Sequence, residues 1–205
     1  MLRVATVVDD TEAEGPGHRF ALWVQGCSIR CPGCCNPEMF VIDGGSAMSI
    51  EDVVMRLASV TGIEGISVLG GEPFEQAEGV AEVVRHAKLR GLTVMIYSGY
   101  SLAELHDQGR TRPAINALLE HTDLLVDGRY DRDRPEPPPP AGRRWLGSTN
   151  QVMHFMTAAY SADDPQMHGA NTVEVHWRAG RLMVNGWPLG AAALTKLRRG
   201  SGSDR

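Results

Sequence analysis

Ile66-Ser67-Val68-Leu69-Gly70-Gly71-Glu72-Pro73 is the stretch that decides the fold. A short apolar run ends in two glycines, a carboxylate and a proline. The run reads as a buried strand, and the glycines permit close backbone approach and unusual φ at its end. Working outward, Thr93-Val94-Met95-Ile96-Tyr97 and Asp123-Leu124-Leu125-Val126 repeat the pattern at intervals of about 30 residues, the length of one strand–helix–strand unit. Phe20-Ala21-Leu22-Trp23-Val24 is a further run upstream.

Helical patterns fill the gaps between these runs. Ser49 and Asp52 stand in a capping arrangement ahead of the face Ile50, Val53, Val54 and Leu57. Between Gln76 and Arg90, Val80, Val83, Val84 and Ala87 form a second face, which Gly91 ends. Ser101 with Glu104 repeats the cap before Leu102 and Leu105. Pro113 opens a last turn with Ile115, Leu118 and Leu119 facing inward. Strands alternating with helices predict a parallel α/β architecture covered on both faces. Residues 131–142 break the pattern: Pro135 and Pro137 to Pro140 predict an exposed polyproline-type loop. Val173 to Trp177 and Leu182 to Val184, flanking Ala179-Gly180, predict a C-terminal hairpin. One domain over 1–190 is expected, with 131–142 as a loop insertion and 191–205 as a tail.

Composition narrows the function classes. The chain has 205 residues with a formal net charge of -5, which argues against nucleic-acid binding. No apolar run reaches the ~18 residues of a membrane span. The N-terminal segment lacks the charged-then-apolar layout of a signal peptide. Its 23 glycines and 12 prolines exceed the roughly 12% combined share of an average chain, which implies many turns and close approaches. All four cysteines fall between Cys27 and Cys35, too crowded to staple a domain by disulfides. A reducing, cytoplasmic setting is the expectation, and the cluster reads as a metal or redox site.

Ligands of parallel α/β folds collect at the carboxyl ends of the strands. Here those ends carry Gly26-Cys27, Gly70-Gly71-Glu72, Ser98-Gly99-Tyr100 and Asp127-Gly128. Cys27, Cys31 and Cys34 are spaced to wrap one face of a cubane iron–sulfur cluster, leaving one iron open to a reacting ligand. Cys35 directly follows Cys34 and reads as a buried or half-buried free thiol. The cysteine spacing alone leaves structural zinc or an ordinary electron-transfer cluster open, although no second Cys or His pair accompanies it. Gly70, Gly71 and Glu72, one strand–helix unit further on, can meet a ligand's ammonium group and weight the reading toward the open cluster.

The sequence resembles the radical S-adenosylmethionine (SAM) proteins. Within them it is similar to the activating proteins of glycyl-radical enzymes, most of all those of anaerobic ribonucleotide reductases. The segments that carry the resemblance are Gly15 to Phe20, Trp23 to Cys27, Cys31-Pro32-Gly33-Cys34 with Asn36-Pro37-Glu38, and Gly70 to Gln76. Tyr97 to Tyr100, Asp127-Gly128, Gly147 to Gln151 and Asn185 to Pro188 add to it. It spans roughly residues 2 to 190. It implies a partial (β/α) barrel, with Cys27, Cys31 and Cys34 holding a 4Fe-4S cluster. Gly70, Gly71 and Glu72 would hold the amino end of SAM, and Ser98 would lie near its ribose or carboxylate. It further implies reductive cleavage of SAM to methionine and a 5′-deoxyadenosyl radical, and transfer of that radical to a glycine of a large reductase subunit. A flavodoxin or ferredoxin-type donor would supply the electron. The chain is short for a full eight-stranded barrel of about 250 residues, and an incomplete one leaves an opening for a protein loop.

Other positions carry two readings. Asp127 either binds a cation or orients the substrate near SAM, or it forms the strand-end turn. Tyr97 and Tyr100 line the cavity or pack against the sheet. Ser148, Asn150 and Gln151 line a partner channel or belong to an ordinary loop. Arg143 and Arg144 read as solvated loop charges, and no histidine is assigned to catalysis. Cys35 stands where relatives often carry an aromatic residue, and the loop 131–142 also departs from the usual pattern. A stand-alone radical SAM enzyme acting on a peptide or small metabolite is the alternative activity. A non-catalytic iron–sulfur or zinc protein is the alternative from another class.

Overall fold

The computed structural model describes residues 1–178 and 181–186. Its main sheet has seven strands. In chain order these are β1 (Leu2–Thr11), β2 (Arg19–Val24), β3 (Ser46–Met48), β4 (Gly65–Gly70), β5 (Thr93–Tyr97), β6 (Leu124–Asp127) and β7 (Val152–Phe155). The spatial order is β3-β1-β2-β4-β5-β6-β7. β2, β4, β5 and β6 pair in parallel, while β1 and β7 run antiparallel to their neighbours. The sheet is therefore mixed but mostly parallel, and among the described residues it stays open, with β3 and β7 as edges.

The strands read from the apolar runs form within a residue or two of the expected bounds. β1, β3 and β7 were not expected from the sequence. A two-stranded antiparallel sheet, β8 (Glu174–Arg178) with β9 (Arg181–Asn185), supplies the expected hairpin. Ala179-Gly180, Trp187-Pro188 and the expected tail 191–205 lie outside the described residues.

The helices are α1 (Ile50–Ser59), α2 (Ala77–Leu89), α3 (Leu102–Gly109) and α4 (Pro113–Glu120). Ser49 Oγ accepts from the Asp52 N–H, and Ser101 with Glu104 makes the full reciprocal capping box. Pro113 occupies the first turn of α4, where its missing N–H costs nothing. All four helices pack on one face of the sheet. Phe20, Leu22 and Val24, Ile66 and Val68, Val94 and Ile96, and Leu125 point there, against Val53, Leu57, Val80, Val84, Leu105 and Leu118.

The opposite face has no α-helix among the described residues; the short 3-10 turns Pro37–Phe40 and Pro165–His168 contribute Met39 and Met167 to its cover. Ala21, Trp23, Leu69, Met95, Leu124 and Val126 project from it and are covered by Met39, Trp145, Leu146 and neighbouring loop residues. The burial expected on both faces is present, but loops cover the second one. Residues 131–142 are mainly exposed, as expected, and are tied back through a Pro135–Ser148 bridge and an Arg143–Glu136 ion pair at 2.6 Å. Among the described residues no helix is long and apolar enough to cross a membrane.

Candidate iron–sulfur site

Register brings the strand ends together. Val24 pairs with Gly70, and Tyr97 pairs with Val126, so the residues that follow emerge along one edge of the sheet. Gly70 adopts φ +106°, a conformation that other residues rarely reach. A Cβ on Gly71 would overlap the Gly26 carbonyl. The Gly71 N–H donates to Val24 O at 2.8 Å and the Glu72 N–H donates to Gly26 O at 2.8 Å. The two glycines thus let the end of β4 lie directly against the residue that precedes Cys27.

The cysteine loop hangs from this junction. All four thiols are free; Cys27 is buried, and Cys31 and Cys34 are half-buried. Backbone N–H groups are directed at the sulfurs: those of Ile29 and Arg30 at Cys27, of Tyr130 at Cys31, and of Asn36 at Cys34 at 3.4 Å. Burial pushes the Cys27 and Cys31 thiols up. A hydrogen bond from the Cys35 thiol holds Cys34 down at about 7. Cys35 is exposed, which corrects the expectation of a buried or half-buried thiol. The residue is exposed although its thiol turns back toward Cys34.

Three side chains that the sequence reading did not single out fasten this loop. Glu75 accepts from the Ser28 N–H at 3.0 Å and from the Ser28 hydroxyl. Gln76 donates to Arg3 O at 3.0 Å and to Gln25 O at 2.8 Å, and accepts from the Arg3 N–H at 2.8 Å. Gln25 in turn donates to Glu38 O and Val41 O at 3.1 and 2.7 Å, closing the exit of the loop.

Glu72 is 1% exposed. Its Oε1 accepts from the Ser98 hydroxyl and the Phe74 N–H, both at 3.0 Å, and its Oε2 accepts from the Gly99 N–H at 2.8 Å. Burial nevertheless pushes this carboxyl up to about 7. Glu72 and Ser98, two of the expected site residues, are therefore bonded to each other. Oε2 keeps a lone pair beyond its single donor.

Asp127 is buried and accepts from the Leu102 N–H, at the first residue of α3. His154 on β7 places Nε2 3.0 Å from Asp127 Oδ2, a neighbour not expected from the sequence. Tyr97 packs with the face without α-helices, while the Tyr100 hydroxyl reaches Glu75 at 3.3 Å. Ser148, Asn150 and Gln151 bond to the segment after β6. The Ser148 hydroxyl accepts from the Asp131 N–H, Asn150 donates to Arg129 O, and Gln151 donates to Gly128 O. Arg143 is exposed, in keeping with its reading as a solvated loop charge, while Arg144 is half-buried, which corrects that reading. Arg143 pairs with Glu136, and Arg144 stacks 4.1 Å over the Trp145 ring.

The cysteine loop at the strand ends defines a cluster-binding class, and a family model described as a 4Fe-4S single cluster domain matches residues 13–154. The chain is similar to the anaerobic ribonucleoside-triphosphate reductase-activating protein of Vibrio cholerae, 34% identical over 151 residues that make up 70% of this chain and 91% of that protein. The protein of the same name from Escherichia coli K12 is 30% identical over 151 residues, covering 69% and 91%. That of Enterobacteria phage T4 is 27% identical over 144 residues, covering 67% and 83%. The chain belongs to this family of anaerobic reductase-activating proteins.

Proposed function

We propose that this chain activates an anaerobic ribonucleoside-triphosphate reductase as a radical SAM enzyme. The observation that carries the reading is the loop of three free thiols set against the Gly70-Gly71-Glu72 strand end. Cys27, Cys31 and Cys34 would hold a 4Fe-4S cluster. The donor set fits such a group: one buried and two half-buried cysteines on one short loop, each sulfur receiving a backbone N–H that favours the thiolate. Among the described residues no three His, Cys, Asp or Glu side chains converge on one metal ion. A cluster that gives each thiolate its own iron has no need of that convergence. When bound and reduced, the cluster supplies the electron that cleaves SAM and yields a 5′-deoxyadenosyl radical.

The chain's own residues bind, orient and exclude water. Gly70 and Gly71 keep the strand end flush with Gly26, leaving room for the amino end of SAM beside Cys27. Glu72 offers Oε2 to the ammonium group and holds Ser98 toward the ribose or carboxylate. Asp127 fixes α3 at the rim of the site, where the substrate would be oriented. We read the open sheet, with its α-helices on one face only, as a partial (β/α) barrel whose opposite face receives the glycine-bearing loop of the reductase. A flavodoxin or ferredoxin-type protein would serve as donor, in the cytoplasm.

The test is anaerobic reconstitution with iron and sulfide, then reduction in the presence of SAM. Parent protein and Cys35→Ser are expected to hold the cluster and release 5′-deoxyadenosine. Cys31→Ser is expected to lose both. Loss of the cluster in Cys35→Ser would show the ligand assignment to be wrong.

A further inference from the structure

The β8–β9 hairpin lies beyond residues 13–154, the part of the chain that carries the family match. It is seated on the sheet face without α-helices. Segment 13–15 crosses that face first: the Ser67 hydroxyl donates to Glu14 O at 2.6 Å, and a Cβ on Gly15 would meet Met95 Sδ at 2.8 Å. The hairpin rests on this segment. The Gly186 N–H donates to Glu14 Oε1 at 2.7 Å, and a Cβ on Gly186 would stand 3.0 Å from Cβ of Ala13. On the other strand, Glu174 Oε2 accepts from the Thr11 hydroxyl at 2.6 Å, and its Oε1 accepts from the Glu12 N–H at 2.8 Å. Two carboxylates, one on each side of the contact, therefore make the attachment. The hold is narrow. Among the described residues none of the hairpin joins the apolar clusters of the sheet, and Val175 and Trp177 are 59% and 71% exposed. Asn185 is buried, yet its Nδ2 meets no acceptor among the described residues. An element held by a few hydrogen bonds and little apolar area opens more readily than the core it covers.

We propose that the β8–β9 hairpin is a strap: Glu174 and Glu14 hold it closed on residues 11–14, and it lifts when the reductase docks. The inference rests on the reading that this face of the sheet receives the glycine-bearing loop of the reductase. The face cannot hold the base of the strap and an incoming loop at once. Docking therefore exchanges the three hydrogen bonds at Thr11, Glu12 and Gly186 for contacts with the partner. Only the fraction of molecules with the strap open is competent to bind, so the closed strap lowers the affinity and a weakened strap raises it.

The experiment is hydrogen–deuterium exchange on the full chain, reconstituted with iron and sulfide, with and without an anaerobic ribonucleoside-triphosphate reductase. Alone, the Glu12 and Gly186 amides are expected to be protected by their carboxylate acceptors. Saturating reductase is expected to speed their exchange by about tenfold or more, while the cross-strand amides of β8 and β9 keep their protection because the hairpin moves as a unit. Unchanged or greater protection at Glu12 and Gly186 in the bound chain overturns the proposal and makes the hairpin a docking element. A binding titration adds a variant. Glu174→Ala removes the bonds to Thr11 and Glu12 and is expected to bind the reductase several-fold more tightly, with 5′-deoxyadenosine release in the absence of reductase unchanged. Glu82→Ala breaks an ion pair with Arg85 on α2 and, as the control, is expected to bind as the parent does. Equal or weaker binding by Glu174→Ala also overturns the proposal. If Glu174→Ala does not fold, the exchange experiment on the parent decides alone. Binding by neither parent nor variant overturns the partner reading, and the strap with it.

Discussion

Replacing Arg19 by Met is expected to destabilise the protein by about 4 kcal/mol or more, without altering any residue of the cysteine loop. Arg19 is 0% exposed and forms no ion pair among the described residues. Its guanidinium donates instead to Ser67 Oγ at 2.7 Å, Ile66 O at 2.7 Å, Pro16 O at 3.0 Å and Thr93 Oγ1 at 3.0 Å. It also reaches Thr93 O and the Tyr160 hydroxyl. These acceptors lie at the starts of β4 and β5 and in the loops that close the face without α-helices. Methionine fills much of the volume but leaves buried carbonyls and hydroxyls without a donor, and each such group costs roughly 1–3 kcal/mol. Burial lowers the Arg19 pKa, but an arginine remains charged at any working pH. Urea unfolding of parent and variant measures the difference. A loss below about 1 kcal/mol would mean that water or rearranged neighbours satisfy those acceptors.

The second large effect is a dependence of stability on pH. Burial pushes both Glu72 and Glu14 from 4.5 up to about 7 in the folded chain. Below pH 4.5 the proton is retained in folded and unfolded chains alike. Between 4.5 and about 7 the unfolded chain has released it while the folded chain still holds it. Stability is therefore full below 4.5 and lost as pH rises to 7, by about 3 kcal/mol for each group. Glu82 and Glu104 are held down at about 2 by Arg85 and Arg129, so their contribution is lost only as pH falls below 4.5. The two windows do not overlap. Unfolding of the reduced apoprotein at pH 5 and pH 7.5 is expected to show the loss, and Glu72→Gln is expected to remove about half of it, leaving the share of Glu14. A stability that climbs across this range would contradict the assignment.

Much of this was legible because the chemistry of one edge is concentrated in a few residue types. The central strands carry continuous apolar runs, and the capping residues Ser49 and Ser101 and the first-turn Pro113 mark the helix starts. β1 escaped because its register shifts between Val4 and Thr6, which breaks the alternation that would have marked it. β3 has three residues, and β7 has four that are half-buried or exposed, too short to leave a pattern. The thiols and the Gly-Gly-Glu turn could be singled out by type and spacing. Glu75, Gln76, Gln25 and His154 could not, because each acts through a partner that the fold supplies. Ser28 and Glu75 are 47 residues apart in sequence. Cys35 misled for a related reason. The general burial of free cysteine says nothing about which way a side chain points on a surface loop.

The central claim is that this cysteine loop generates a radical destined for a glycine of the reductase. Its most direct test is electron paramagnetic resonance on a mixture of the reconstituted protein, an anaerobic ribonucleoside-triphosphate reductase, SAM and a reductant. The account predicts a glycyl-radical doublet that requires SAM and disappears in Cys31→Ser. A spectrum without that doublet, from protein carrying a full cluster, would contradict it.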